Sequence, residues 1–238
     1  MSTKCTLSQA PDISITNLLK LVKQEDGTMR QLTRSELDRI SRQQSILEAA
    51  EKVFVQKGYE KTSIADIAKE AVFTKTTIYK YFPTKNIIYY YVAVRGYEHL
   101  EDAFKVASGS SENGFCELVN LCHTFHDFYM EHPRLFQIMG SIHHIKSANE
   151  PLLEESGWYT LWERLIEFFK KALRRGIEDK SIKKDAPIAE TSYSLFYYLT
   201  GFYHQYYDNF KAIQRHPEVD QDRLLRLSLD LLTKSLKD

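Results

Sequence analysis

The segment GYEKTSIADIAKEAVFTKTTIYKYFPTK, residues 58–85, limits the possible folds of this chain more than any other stretch. It holds a glycine, a short apolar-periodic run opened by Ser63, a break at Val72-Phe73, and a second short run opened by Thr74 or Lys75. That pattern predicts two short helices joined by a tight turn, the second with small polar side chains at its start. A unit of this kind places its second helix in the major groove of a DNA duplex.

Composition narrows the rest. The 238 residues suffice for one or two domains with a real core. Charged residues make up 27% and balance to zero, which excludes a blanket of positive charge but leaves room for one basic face. From Ser41 to Lys85 there are eight Lys or Arg against five Asp or Glu, so charge is weighted toward the proposed DNA end. Three cysteines, Cys5, Cys116 and Cys122, form no disulfide framework. The N-terminus lacks an apolar signal region, and no run approaches the length of a membrane span. A cytoplasmic protein with no membrane partner is the expectation.

The pattern along the chain is helical. Ile15, Leu18, Leu19 and Val22 predict a short amphipathic helix over Ser14–Glu25, stopped by Asp26-Gly27. Thr33 with Glu36, and Ser63 with Asp66, have capping-box spacing. Gly58 stands where the first long helix needs a left-handed residue to stop. Pro83 ends the helix carrying Ile78, Tyr81 and Phe82, and Thr84 caps the next, which runs to about Phe104. SGSSENG at 108–114 is a loop, and helices are predicted near 115–130, 133–145, 151–175, 187–211 and 220–236. The fold class is all-α, with about nine or ten helices.

Within the two-helix unit, Thr74, Lys75, Thr76 and Thr77 suit base edges, since Thr offers a hydroxyl and a methyl and Lys reaches guanine or phosphate. Tyr79, Lys80 and Lys85 are placed for phosphates. The run from Ile46 to Lys85 resembles the N-terminal domain of the TetR family of transcriptional regulators. The likeness rests on Ala49-Ala50, Phe54, Gly58-Tyr59, Thr62, Ile67-Ala68, Ala71, Lys75, Thr77, Ile78-Tyr79, Tyr81-Phe82 and Lys85. It implies a ligand-responsive regulator, a repressor, that binds a palindromic operator as a homodimer. It also implies that Thr62 and Ser63 touch DNA, and that a C-terminal helical body binds a small inducer and lets go of the DNA. On this reading residues 1–40 are an extension, 41–88 a three-helix DNA-binding domain with the helix-turn-helix, and 89–238 a ligand-binding and dimerisation domain. Two residues depart from the family pattern, Val72 and Thr76, both where glycine is usual. Either the turn uses ordinary angles or Val72 is strained, because a β-branched residue resists positive φ.

The body is aromatic. Residues 190–210 carry Tyr or Phe on every side of a helix, which predicts burial all round, and residues 220–237 carry a wide leucine stripe. These two helices are the expected dimer surface, with Phe202, Tyr206, Leu225, Leu229 and Leu232 at its centre. Fifteen tyrosines are many, and tyrosine both packs against a ligand and bonds it. Tyr97, Phe125, Tyr129, Trp162 and Tyr197 are the candidate pocket for an apolar or aromatic small molecule. Cys122, His123 and His126 are a weaker candidate for zinc or haem, and no resident cofactor or metal is expected. No nucleophile-elbow, P-loop, dinucleotide or zinc-protease motif is present, so an enzyme is not expected. The competing reading is a helix-turn-helix protein with no small-molecule response, acting in an architectural or docking role. The basic residues of the extension, Arg30 and Arg34 among them, fit either an arm on DNA or a packed helix.

Overall fold

A computed structural model describes residues 33–109, 111–142 and 156–237, the side chain of Lys211 excepted, and the backbone of 21–23 and 29–31. The chain divides into two compact units, Met1–Ile46 and Leu47–Asp238. The described helices are α1 (Arg34–Lys61), α2 (Ile64–Glu70), α3 (Lys75–Tyr81), α4 (Lys85–Ala107), α5 (Gly114–Glu131), α6 (Pro133–Gly140), α7 (Trp158–Glu178), α8 (Ile188–Ile213) and α9 (Gln221–Lys234). The fold is all-α, as the hydrophobic periodicity predicts.

Short-range chemistry sets most of the boundaries. Thr33 and Glu36 form the expected capping box at the start of α1, with Thr33 N donating to Glu36 Oε2 at 2.8 Å. Ser63 and Asp66 repeat it on α2. Thr74, Thr84 and Asn113 each accept a backbone N–H with their side chains at the starts of α3, α4 and α5. These caps satisfy donors that a helix start leaves without partners. Gly58 interrupts α1 with φ 76° and ψ 168°, a region essentially reserved for glycine. Helical geometry therefore stops at Lys57, and a short coda leads to α2.

The N-terminal expectation needs correcting. Leu21–Lys23 is a β-strand, β1, paired antiparallel with β2, Met29–Gln31, in the register Leu21↔Gln31 and Lys23↔Met29. The predicted helix over residues 14–25 is therefore excluded at its C-terminal end, while residues 14–20 lie outside the described residues. The physical reason is that an apolar run this short fits a strand as well as a helix. Two three-residue strands leave the fold class unchanged.

The core of the second unit is a helical bundle. α7 packs on α5, α8 and α4, and α6 lies against α4, α8 and α5. Phe104, Phe125, Phe136, Phe169, Phe196 and Tyr203 are its large buried rings. Two carboxylates inside it are each held by an arginine. Arg164 of α7 grips Glu101 of α4 with donors at 2.7 and 3.0 Å. Arg175 of α7 donates to Glu117 of α5 at 2.8 Å. Burial opposes the charge of Glu101, but Arg164 and Lys105 outweigh it and hold its carboxyl below the ordinary range.

The all-round burial expected of α8 is not what the single chain shows. Phe196, Leu199, Tyr203 and Tyr206 are buried, but Tyr197 is 55% exposed and Tyr198 and Phe210 are also open to solvent. On α9, Leu225 and Leu229 lie in the core, while Leu227 and Leu231 are exposed. One stripe of each helix closes the bundle and a second faces outward.

Candidate nucleic-acid interface

The end of α1 with α2 and α3 forms a small reading head. Ile67 and Ala68 of α2 and Ile78 of α3 are buried, with Phe82 closing the end. Lys57 holds Asp66 at 2.6 Å, which ties α1 to α2 and, with the Ser63 hydrogen bonds, keeps the Asp66 carboxyl far below its usual range. Burying Ile78 turns the opposite side of α3 to solvent. Lys75, Thr76, Tyr79 and Lys80 lie there at i, i+1, i+4 and i+5, so they share one face. Tyr79 is 51% exposed. Thr74 is exposed at the N-cap, and its hydroxyl lies 2.9 Å from that of Thr77.

The other predicted contact residues are engaged within the head. Thr62 is buried, and its hydroxyl donates to Gly58 O at 2.7 Å. The Ser63 hydroxyl is engaged with Asp66 at 2.6 Å. Lys85 points back into the head: its Nζ donates to Tyr59 O at 2.9 Å and Thr62 O at 3.0 Å, and sits 4.0 Å above the Tyr59 ring. Tyr59 in turn stacks near Phe54 and meets Tyr89 edge-on, and its hydroxyl bonds Asn86. No local signal in the sequence marks Lys85 as a cap, because the carbonyls it serves lie more than twenty residues away.

Val72 occupies the turn between α2 and α3 at φ 57°, a left-handed conformation that costs a β-branched residue about 1–2 kcal/mol. It is 87% exposed, so almost no burial offsets that strain. Val72→Gly is therefore expected to raise stability by roughly 0.5–1 kcal/mol, after the flexibility glycine gains in the unfolded chain is subtracted. Val72→Ala keeps the Cβ and is expected to give less. Urea midpoints measure both, and a destabilised glycine variant refutes the strain argument.

Residues 46–89 match the family described as bacterial regulatory proteins, tetR family. The family likeness is shown for this segment. One relative, the uncharacterised HTH-type transcriptional regulator YuxN of Bacillus subtilis (strain 168), is 46% identical over 52 residues. That stretch covers 19% of this chain and 18% of YuxN, so the likeness is confined to a small part of either protein. Solved structures share the fold over most of the chain. One from Thermobifida fusca YX-ER1 has a TM-score of 0.63 at 17% identity, covering 83% of this chain and all of that one, 100%. PfmR from Thermus thermophilus gives 0.58 at 23% identity, covering 81% and 99%. FadR from Bacillus subtilis, solved with stearoyl-CoA, gives 0.60 at 17% identity, covering 81% and 98%. At these identities the structures establish the fold.

In the body, the five candidate pocket residues join one aromatic network. Tyr97 meets Trp158 at 4.9 Å between ring centres, Trp158 meets Trp162, and Trp162 meets both Phe196 and Tyr197. Phe125 touches Phe196 and Tyr203, and Tyr129 touches Tyr203 at 4.7 Å. Phe196 is thus the bridge between the two groups. Tyr97, Phe125 and Tyr129 are buried, whereas Tyr197 lies at the surface end. Burial pushes the Tyr97 phenol well above its ordinary range and, with nearby phenols and Asp208, lifts Tyr129 to about 12. A shallow groove of about 260 Å³ lies elsewhere, between Pro187, Glu190 and Ser194 of the α8 start and Leu232 and Ser235 of the α9 end.

The Cys-His group is divided by its surroundings. Cys122 is buried, with its thiol raised to about 12 by desolvation, and His123 is exposed. His126 Nδ1 pairs with the Tyr203 hydroxyl at 2.8 Å. Among the described residues no three His, Cys, Asp or Glu side chains are gathered to hold a metal, and no helix is long and apolar enough to cross a membrane.

Proposed function

We propose that this TetR-family regulator reads a palindromic DNA duplex as a homodimer and that a small apolar or aromatic molecule controls its grip. The exposed face of α3 carries the reading. It offers Thr74, Lys75, Thr76, Tyr79 and Lys80 together, and neither lysine is drawn into an ion pair among the described residues. Lys75 and Thr76, nearest the helix start, address base edges, with Thr77 beside them; Tyr79 and Lys80 address phosphates. Ser63 acts through the cap of α2, whose N-terminal amides favour a phosphate, and Thr62 supports that start from within through Gly58 O. Pairing two heads requires two copies, and the outward stripe of α8 and α9 supplies a surface. Tyr198, Leu227 and Leu231 are its exposed members, beside the half-buried Phe202 and Leu232. Tyr206, Leu225 and Leu229 support that surface from within.

The ligand is proposed to enter the aromatic network around Tyr97, Phe125, Tyr129, Trp162 and Tyr197. FadR, of the same fold, was solved with stearoyl-CoA, and KstR2 of Mycobacterium tuberculosis is described as a ketosteroid transcriptional regulator. Both names point to bulky apolar molecules, which suits a wall of rings. A second reading, a DNA-binding module without ligand response, draws on the tight ring contacts of Phe125 and Tyr129.

Selection of bound duplexes from a random pool tests the first half. A two-fold symmetric site is the expected product, and an asymmetric or absent consensus refutes it. Adding long-chain acyl-CoA thioesters, sterols and planar aromatics to the selected complex tests the second. Release by one of them supports ligand control, and unchanged affinity across all three classes favours the second reading.

A further inference from the structure

Two cations from the body hold the last turn of α1 and the coda after it. Lys85 of α4 serves Tyr59 O and Thr62 O. Arg134 of α6 reaches Val55 O at 2.9 Å and Gln56 O at 3.0 Å, both through one guanidinium nitrogen. The last turn of a helix is short of in-helix partners for its carbonyls and carries the negative end of the dipole, so a cation there is favoured. Gly58 sharpens the need by breaking helical geometry one turn early.

The two cations differ in what stands behind them. Lys85 begins α4, which follows the head directly in sequence. Arg134 sits at the start of α6, an element fixed in the body. Its Phe136 ring meets Phe125 at 5.6 Å and His204 at 4.5 Å. Its Met139 fills the space beside Gly96 of α4, where an added Cβ would lie 2.5 Å from the Met139 Cγ. Its far end, at Gly140, abuts the His204 ring of α8. Helix α6 is thus a strut from the aromatic network to the base of the reading head, with Arg134 at the head end.

We infer that Arg134 is a positioning residue for DNA recognition: it sets the angle at which the reading head leaves the body, by tying the α6 strut to the end of α1. This rests on the proposed function, since an angle between heads matters only when two heads share one duplex. The side-chain hydrogen bonds of Arg134 go to the end of α1. A residue that sets the angle affects binding to two half-sites at once and leaves a single half-site alone. A residue that holds the head folded affects both equally.

The test compares wild type, Arg134→Gln and Arg134→Lys on the selected full duplex and on a duplex with one half-site scrambled. Glutamine lacks the reach and the charge; lysine keeps a cation. Full-site affinity is expected to fall about tenfold in Arg134→Gln, a typical coupling strength, with half-site affinity and Tm unchanged. Arg134→Lys is expected to recover most of the loss. Equal losses on both duplexes, or none on either, overturn the inference. Hydrogen exchange on free protein supplies a second arm that needs no DNA. Amides of residues 55–62 are expected to exchange at least about tenfold faster in Arg134→Gln, while those of α5 stay unchanged. Wild-type protein that binds neither duplex refutes the functional reading, whereas unchanged exchange at 55–62 refutes the tie itself.

Discussion

Gly114→Ala is expected to destabilise the protein by about 3 kcal/mol or more, the upper range for overpacking a core. An added Cβ would lie 2.0 Å from Gly176 N, 2.4 Å from Gly176 Cα and 2.6 Å from Ala172 O. All three are backbone atoms of α7, so no side chain can swing aside. The start of α5 must move bodily, and it is fastened. Gly114 N donates to Asp179 Oδ2 at 2.7 Å, and Phe115 N to Ser181 Oγ at 3.0 Å. Arg175 adds bonds to Glu117 and to Ser111 O, each at 2.8 Å. Displacement therefore loses the cap of α5 together with the close crossing. Gly176→Ala makes a useful contrast. Its Cβ would meet the Ile182 side chain first, at 2.4 Å from Cδ1 and 2.6 Å from Cγ1, atoms with more freedom to turn than a backbone has. A smaller loss is expected there. Urea unfolding of both variants decides the matter, and a Gly114→Ala midpoint equal to wild type would refute the packing account.

What the chain reveals before it is folded follows the range of the forces involved. Ser63 with Asp66, and Thr74 and Thr84 before their helices, are legible because a cap and its donor lie within three residues. Gly58 is legible for the same reason, since its φ is a local requirement. Val22 misleads because an apolar residue fits a strand and a helix equally well when the run is short. The outward stripe of α8 is hidden in the sequence: Tyr197 and Tyr203 are the same residue type on one helix, and only packing against α6 and α7 separates the exposed ring from the buried one. Leu229 and Leu231 differ in the same way. Arg134 carries no local mark at all, because its partners, Val55 and Gln56, lie nearly eighty residues earlier. The exposed polar face of α3 is legible, and the Arg134 contact with the end of α1 is not.

On the selected duplex, Lys75→Ala is expected to weaken binding by a factor of about 30 to 10⁴ and to relax preference at one base pair of each half-site. A good side-chain contact to a base is worth about 1–3 kcal/mol. A symmetric dimer loses it twice, so about 2–6 kcal/mol disappears from one substitution. Lys80→Ala is expected to act differently, because Lys80 lies on the same exposed face but farther along α3, the position proposed for a phosphate contact. Loss of a phosphate contact weakens all sequences alike and flattens the dependence of log affinity on log salt by about 0.9 per contact, hence about 1.8 per dimer. Lys85→Ala supplies the control. Its ammonium caps Tyr59 O and Thr62 O and rests on the Tyr59 ring, so its removal lowers thermal stability, and binding falls only as the folded fraction falls. Titrations at several salt concentrations, on the selected duplex and on one with a single changed base pair, separate the three. If Lys75→Ala and Lys80→Ala give the same salt slope and the same loss on both duplexes, α3 does not read bases through Lys75. The exposed face then serves as a general phosphate grip, and the sequence preference of this regulator lies in other residues of the head.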